Sequence, residues 1–503
     1  MKFPLSLLHL PVSSIFYHQC SNMLIIALFY LVFRKKKRYD VTGMVFHTDI
    51  NEKKGIIVMK FVQDMTAGSP SKLLVSFSLP ILAGSLIQQL YTMTDSIIVG
   101  RFVGADALAA IGACGSLTYL FFSLFFGLSA GIGIIIARYF GAGKDEQVQK
   151  GIANSVFLLL GAAILLTVTG ICFARPILLY LGTPSDILKD AVAYFQITSA
   201  GILGVAFYNG ISSILRALGD SKTPLIFLVI ASLLNVGLDL LFVLVFHLGV
   251  AGTALATSLA QFVSACTCLI FALHTNPFFR LKKEQFRPDK ILLGQMTHIG
   301  LPLALQDALI AISCVALQTV INSFGTAIVA AFTATNRIET MLGQIYLTMN
   351  TALSSYTAQN LGAGKVSRVR EGTRFCVWIT AAFSLCMVVL MHLFGSAFMT
   401  LFVDDTSVIQ TGAFALALTS WFFIAWGLLY IFRGVLNGAG NAAFAYISGI
   451  LEVVGRVGSA VLLTSLPLIG QWGIWLSEGI TWILVACAGI ICYLHGTWAR
   501  QTA

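Results

Sequence analysis

The chain is poor in charge: Asp, Glu, Lys and Arg make up 10% of its 503 residues, while 57% are apolar. A water-soluble domain of this length carries about a quarter of its residues charged, so the composition excludes a soluble fold and makes lipid the bulk solvent. Histidine is scarce as well. The eight present (His9, His18, His47, His247, His274, His298, His392 and His495) form no HxxxH or HExxH pair, which argues against a membrane-embedded metalloenzyme. The ten cysteines lie mostly within apolar runs and include no CxxC, so they read as small core residues rather than zinc ligands or disulfides. Gly141-Ala142-Gly143-Lys144 lacks the GxxxxGK[ST] spacing of a phosphate loop and follows no strand; it reads as a helix stop and turn.

What the chain has instead is long apolar runs. Twelve of sufficient length to cross about 30 Å of hydrocarbon as helix fall near 73–102, 112–137, 152–174, 193–215, 224–246, 251–274, 296–322, 328–358, 375–401, 412–434, 444–466 and 473–495, with 328–358 the least apolar. The net charge of +10 forms no continuous basic face, so nucleic acid is not an expected partner. It clusters between alternate spans: Arg138, Lys144 and Lys150; Arg216 and Lys222; Arg280, Lys282, Lys283, Arg287 and Lys290; Lys365, Arg368, Arg370 and Arg374; and Arg433. The opposite loops hold Arg101, Arg175, Lys189 and Arg337, outnumbered by Asp106, Asp186, Asp190, Glu339, Asp404 and Asp405. Fifteen basic residues against four assign the first set, and both ends of the helical core, to the cytoplasm of a plasma-membrane protein.

The chain repeats itself. Leu79-Pro80 returns as Leu301-Pro302, Gly141-Ala142-Gly143-Lys144 as Gly362-Ala363-Gly364-Lys365, and Gly219-Asp220 as Gly440-Asn441, at a spacing of 221 or 222 residues. Six spans per unit is an even number, so the two halves enter the membrane from the same side. The expected fold is an all-α membrane protein: twelve transmembrane helices in two six-helix lobes, 59–290 and 291–503, related by a pseudo-two-fold axis along the membrane normal. Residues 1–58 stand apart as an N-terminal extension. The apolar run Met23–Phe33 is short for a span, although Arg34–Arg38 behind it gives it the look of a weak anchor. Glu52-Lys53-Lys54-Gly55 requires an unbroken purine run shortly before the codon for Met59, as a ribosome-binding site read through in frame would give, and the expectation is initiation at Met59.

An ionisable residue inside a span costs several kcal/mol unless paired or hydrated, which singles out Asp95, Asp239, Asp307, Glu452, Arg456 and Glu478. At about 1.5 Å per residue, Asp95 lies roughly 22 Å beyond Pro80, in the outer third of the membrane. Asp239 sits near the outer end of the fifth span with Asn235 one turn below it, and Thr257 of the sixth span falls at a similar depth. Two carboxylates, an amide and a hydroxyl at one level suit a proton or a small hard cation such as Na⁺ at Asp95 and Asp239. Glu452 and Arg456, four apart, read as an intrahelical ion pair, with Arg456 also a candidate for holding an anionic group. Asp307 is a candidate for a watery vestibule, and Glu478, between Trp475 and Trp482, reads as solvated or capping. Pro80 and Pro302 are each expected to bend a helix.

Three stretches resemble the multidrug and toxin extrusion (MATE) family: the run from Gln88-Gln89-Leu90-Tyr91 through Asp95 to Gly100, Leu215-Arg216-Ala217-Leu218-Gly219-Asp220-Ser221-Lys222-Thr223-Pro224, and Ala358-Gln359-Asn360-Leu361-Gly362-Ala363-Gly364-Lys365. The likeness covers about 59–500. It implies a monomeric two-lobe antiporter without a cofactor that exports small cationic or amphiphilic solutes in exchange for H⁺ or Na⁺. It also implies a coupling site at Asp95, Asn235, Asp239 and Thr257, and a bent first helix from Pro80 to Asp95, with Pro80, Gln88, Asp307 and Arg456 as cavity or gating candidates. One branch of the family uses acids well inside helix 7 and on helix 10; here Asp307 lies nearer the start of helix 7 and helix 10 has no acid, which argues against that second-lobe Na⁺ site. A lipid-linked flippase of the same superfamily is the alternative, and would need a more cationic central cavity than Arg456 provides.

Overall fold

The computed structural model describes residues 48–50, 57–59 and 62–500. The chain divides into two units, Met1–Lys60 and Phe61–Ala503. In the first, strands β1 (Thr48–Ile50) and β2 (Ile57–Met59) pair antiparallel with Thr48 opposite Met59. The run Met23–Phe33, its basic flank and Glu52–Gly55 lie outside the described residues.

The second unit is helical. Its spans are α1 (Pro70–Phe102), α2 (Ala105–Gly141), α3 (Asp145–Tyr180), α4 in two pieces (Ser185–Ala200 and Ile202–Ala217), α5 (Lys222–Leu240) and α6 (Gly249–Thr275). After two short 3-10 turns the pattern restarts with α7 (Lys290–Asn322), α8 (Thr326–Gly362), α9 (Val366–Met399), α10 in two pieces (Thr406–Ser420 and Phe423–Gly438), α11 (Ala442–Val453, continued through a π turn to Ser459–Ser465) and α12 (Gly473–Leu494). These are the twelve expected spans in their expected order. Among the described residues nine helices, and each bent pair taken as one more, are long and apolar enough to cross a membrane. The exception, α8, is the least apolar run, and it packs against α2, α9 and both pieces of α10.

The repeat has a physical basis in its turns. Gly219 and Gly440 take φ of +84° and +71°, a left-handed conformation that glycine adopts without strain. The next residue then caps the following helix: Asp220 accepts from the backbone N–H of Lys222 and Thr223 (3.0 and 2.9 Å), and Asn441 from that of Phe444 (3.1 Å). Gly143 and Gly364, each closing one GAGK tetrad's turn, match likewise at +68° and +70°. Even the two broken helices correspond, because α4 bends by 45° at Gly201 and α10 by 53° at Trp421-Phe422. The reason for the first break is close packing: a Cβ on Gly201 would lie 2.2 Å from Ser258 Oγ of α6.

The lobes meet along α2 and α7, where small residues bring backbones together as they do between helices in lipid. A Cβ on Gly127 would lie 2.1 Å from the Ala304 nitrogen, and one on Gly131 2.6 Å from the Gly300 Cα. At the end carrying the basic loops, α2 also touches α8: a Cβ on Gly141 would meet the Gln359 carbonyl oxygen at 1.9 Å, and one on Gly362 that of Arg138 at 2.0 Å. The segment before α1 seals this junction. Met65, fully buried, donates its N–H to Gln359 Oε1 (2.9 Å), its carbonyl accepts from Asn360 (3.1 Å), and Lys365 reaches the Thr66 carbonyl (2.9 Å).

Three charges stand elsewhere than the loop census places them. Arg433 is inside α10, and Arg337 and Glu339 are inside α8, more than two turns from its start. Arg433 and Glu339 are buried there. Glu478, read from sequence as solvated or capping, is also buried, at 6% exposure. Neighbours from distant spans, Glu452 beside Arg433 and Glu339 and Glu478 beside one another, meet the buried three, which a reading of one span at a time does not reveal.

Candidate functional site

Helices α1, α5 and α6 bring the first-lobe residues together. Asp239 is fully buried and Asn235, one turn below, is 2% exposed; Asp95 of α1 is half-buried. The Asp95 and Asp239 carboxyls lie within hydrogen-bonding reach of one another. Asn235 donates to Thr257 Oγ1 at 3.2 Å, so the amide and hydroxyl form the base of the same cluster. Below the carboxyls is a small pocket, with room for little more than a water molecule, lined by Tyr91, Ser232, Asn235, Thr257 and Gln261 among others. One oxygen of Asp95, both of Asp239 and the amide oxygen of Asn235 are buried without a hydrogen-bond donor among the described residues. Buried acceptors of this kind are costly unless something supplies positive charge, and the donor set fits a shared proton or a small cation.

The structure adds features that sequence reading missed. Tyr91 of α1 lies near both carboxyls, and Tyr194 of α4 lies near Asp95. Around Asp95, α1 carries three successive hydroxyls bonded back to carbonyls four residues earlier: Thr92 to Gln88 (2.9 Å), Thr94 to Leu90 (2.9 Å) and Ser96 to Thr92 (3.0 Å). Such bonds compete with the helical ladder and soften or bend it. The alternating Thr92, Thr94 and Ser96 were the available signal. Directly after Asp239, α5 passes into a π turn (Leu241–Val245), a defect that often marks functional positions.

Of the other candidates, Pro80 is buried within an unbroken α1, and Gln88 is exposed on the same helix with its carbonyl engaged by Thr92. Arg456 lies in the π turn of α11, and its guanidinium is committed: to Glu452 at 3.0 Å and to Ser313 of α7. The Glu452–Arg456 pair is present, joined by Arg433, whose Nη2 is 2.9 Å from the other oxygen of Glu452. Asp307 is half-buried and faces Arg433 and, across the lobe junction, Tyr119 of α2. These second-lobe groups are not brought to the first-lobe cluster. Asp307 and Arg433 lie near the junction with the first lobe, at Tyr119, whereas Glu452 and Arg456 are buried among second-lobe residues.

The MatE family model matches residues 80–241 and again 302–461, once in each half. Over 438 residues the chain is 30% identical to a probable multidrug resistance protein, YpnP, of Bacillus subtilis, covering 86% of this chain and 97% of that one. It is 24% identical over 430 residues to the multidrug export protein MepA of Staphylococcus aureus, covering 84% and 93%. Among solved structures, it matches one described as the outward-facing conformation of a multidrug resistance MATE family transporter of the MOP superfamily, with a TM-score of 0.82, 26% identity, and coverage of 88% of this chain and 99% of that one.

Proposed function

Because the chain belongs to the MatE family, a family of multi-pass membrane transporters, we propose that it is a cation-coupled antiporter exporting small amphiphilic cations, with Asp95 and Asp239 binding the coupling ion, H⁺ or Na⁺. The observation that carries this reading is the adjacency of those two carboxyls, with one oxygen of Asp95 and both of Asp239 buried and without a donor among the described residues.

Two like charges 4 Å apart repel by about 4 kcal/mol at an effective dielectric of about 20, and one cation between them removes that repulsion. Loaded, the pair draws α1 and α5 together. Unloaded, α1 is pushed from α5, and the back-bonded stretch around Thr92–Ser96 is the part of the helix with least resistance to bending. Loading the cation on one side therefore biases the lobe that must release substrate, which is alternating access with the two ligands competing for one conformation. The flippase alternative is disfavoured by charge balance, because Arg433 and Arg456 share Glu452 and Arg433 also faces Asp307, leaving little net positive charge near the lobe junction. The test is uptake of a fluorescent organic cation into proteoliposomes, driven by a pH gradient and by a Na⁺ gradient in separate arms. Transport in one arm supports coupling, and transport in neither rejects it.

A further inference from the structure

The second lobe contains a carboxyl pair of its own. Glu339 of α8 (4% exposed) and Glu478 of α12 (6% exposed) lie within hydrogen-bonding reach of one another, yet they are 139 positions apart and neither has a cation within salt-bridge distance among the described residues. Thr419 of α10 donates to Glu339 Oε1 at 2.7 Å. Glu478 Oε2 is buried and has no hydrogen-bond partner among the described residues. One turn away, Trp475 Nε1 donates to Thr335 Oγ1 at 3.1 Å, pinning α12 to α8 beside the pair. The position is not arbitrary, for Glu478 stands 221 residues after Thr257, the repeat distance, so the second lobe places a carboxyl where the first has the hydroxyl of its cluster.

We propose that Glu339 and Glu478 form a second cation-binding site, in the second lobe, that holds one H⁺ shared between the two carboxyls. Two carboxylates offer only acceptors, so the contact between them needs a proton or a cation in the low dielectric of the bundle. A proton is favoured because the protein oxygens at hand are two carboxyls and one hydroxyl, flanked by the indoles of Trp475 and Trp482 on α12, whereas hard metal cations gather about six oxygens. The groups facing the pair are Arg456 and Glu452 of α11 and Cys314 of α7 on the Glu478 side, and Thr419 of α10 on the Glu339 side. Arg456 does not neutralise it, being held by Glu452 and Ser313.

The proposal stands whether or not Asp95 and Asp239 carry the coupling ion, and one experiment separates the two. Intrinsic tryptophan fluorescence of the purified protein, with Trp475 and Trp482 as local reporters, is titrated against pH for wild type, Glu339→Gln, Glu478→Gln and Asp239→Asn. The expected result is a step in wild type that both glutamine variants abolish, that Asp239→Asn preserves, and that Na⁺ added at constant pH does not move. Absence of the step in wild type, its persistence in either glutamine variant, its loss in Asp239→Asn, or its displacement by Na⁺ would each overturn the assignment. Should a glutamine variant not fold, infrared spectra of Asp239→Asn and wild type decide: the protonated-carboxyl band of a buried pair must persist in Asp239→Asn, and its absence rejects the proposal.

Discussion

Arg138 and Gln359 hold the same place in the two repeats and reach across the lobe junction in opposite directions: Arg138 Nη2 donates to the Ala439 carbonyl at 2.8 Å and Gln359 Nε2 to the Ala217 carbonyl at 2.8 Å. Each acceptor is the unsatisfied carbonyl end of a helix, so each bond also completes a C-terminus. The two bonds close the bundle at its basic end and must break for that end to open.

Arg138→Ala combined with Gln359→Ala removes both. At about 1 kcal/mol for the neutral bond and more for the charged one, the expected shift is about 2 kcal/mol, roughly 30-fold toward separated ends. Spin labels at the exposed positions Lys144 and Glu371, one on each lobe, are expected to show a longer distance population in the double variant. An unchanged distribution contradicts the latch.

Glycine at the α2–α7 contact is required by space. Gly127→Ala puts a methyl group into the Ala304 backbone and is expected to cost about 1–3 kcal/mol, seen as a lower melting temperature in detergent. Gly115→Ala, which meets nothing within 4 Å on the same helix, is expected to be neutral or to stabilise by about 0.5–1 kcal/mol. Equal effects at the two positions would rule out close approach as the cause.

Glu452→Gln leaves Arg433 and Arg456 buried beside a neutral amide. The expected loss is about 3–5 kcal/mol, the penalty for an uncompensated buried charge, whereas Arg433→Met, Glu452→Leu and Arg456→Met together should be close to neutral. Thermal unfolding of the single and triple variants checks this, and a triple variant as unstable as the single one would show that the triad stabilises beyond its own desolvation.

The hydroxyls around Asp95 are expected to act on rate rather than on stability. Thr92→Val, Thr94→Val and Ser96→Ala remove these side-chain bonds and leave the α1 carbonyls to the helical ladder alone. Exchange in proteoliposomes should slow several-fold with the melting temperature unchanged or raised; full-speed exchange would mean that α1 does not flex there.

Much of this architecture was legible because lipid simplifies the code: apolar length gives the spans, and Gly219-Asp220 with its echo Gly440-Asn441 gives the repeat. Asp239 stood out as an acid within an otherwise apolar helix, with Asn235 a turn below. Glu339 and Arg433 do not, since Glu339 stands close to Asn336 and Arg337, Arg433 lies at the end of the apolar run 412–434, and both read as loop charge. Their burial depends on Glu478 and Glu452, residues brought close only by tertiary packing. The breaks at Gly201 and Trp421-Phe422 were hidden for a related reason. Both pieces remain apolar, and what bends them is the neighbour they pack on, Ser258 in one case and, through Phe422, Gly479 in the other.

The most direct test of cation coupling at Asp95 and Asp239 is ion release on substrate binding, measured with the purified protein in weakly buffered detergent using a pH indicator and a Na⁺ electrode. An organic cation added to the loaded wild type is expected to expel about one H⁺ or Na⁺ per protein, because one cation neutralises the pair. Asp239→Asn should bind the same organic cation and expel neither. Substrate binding without ion release in wild type, or undiminished release from Asp239→Asn, would contradict the account.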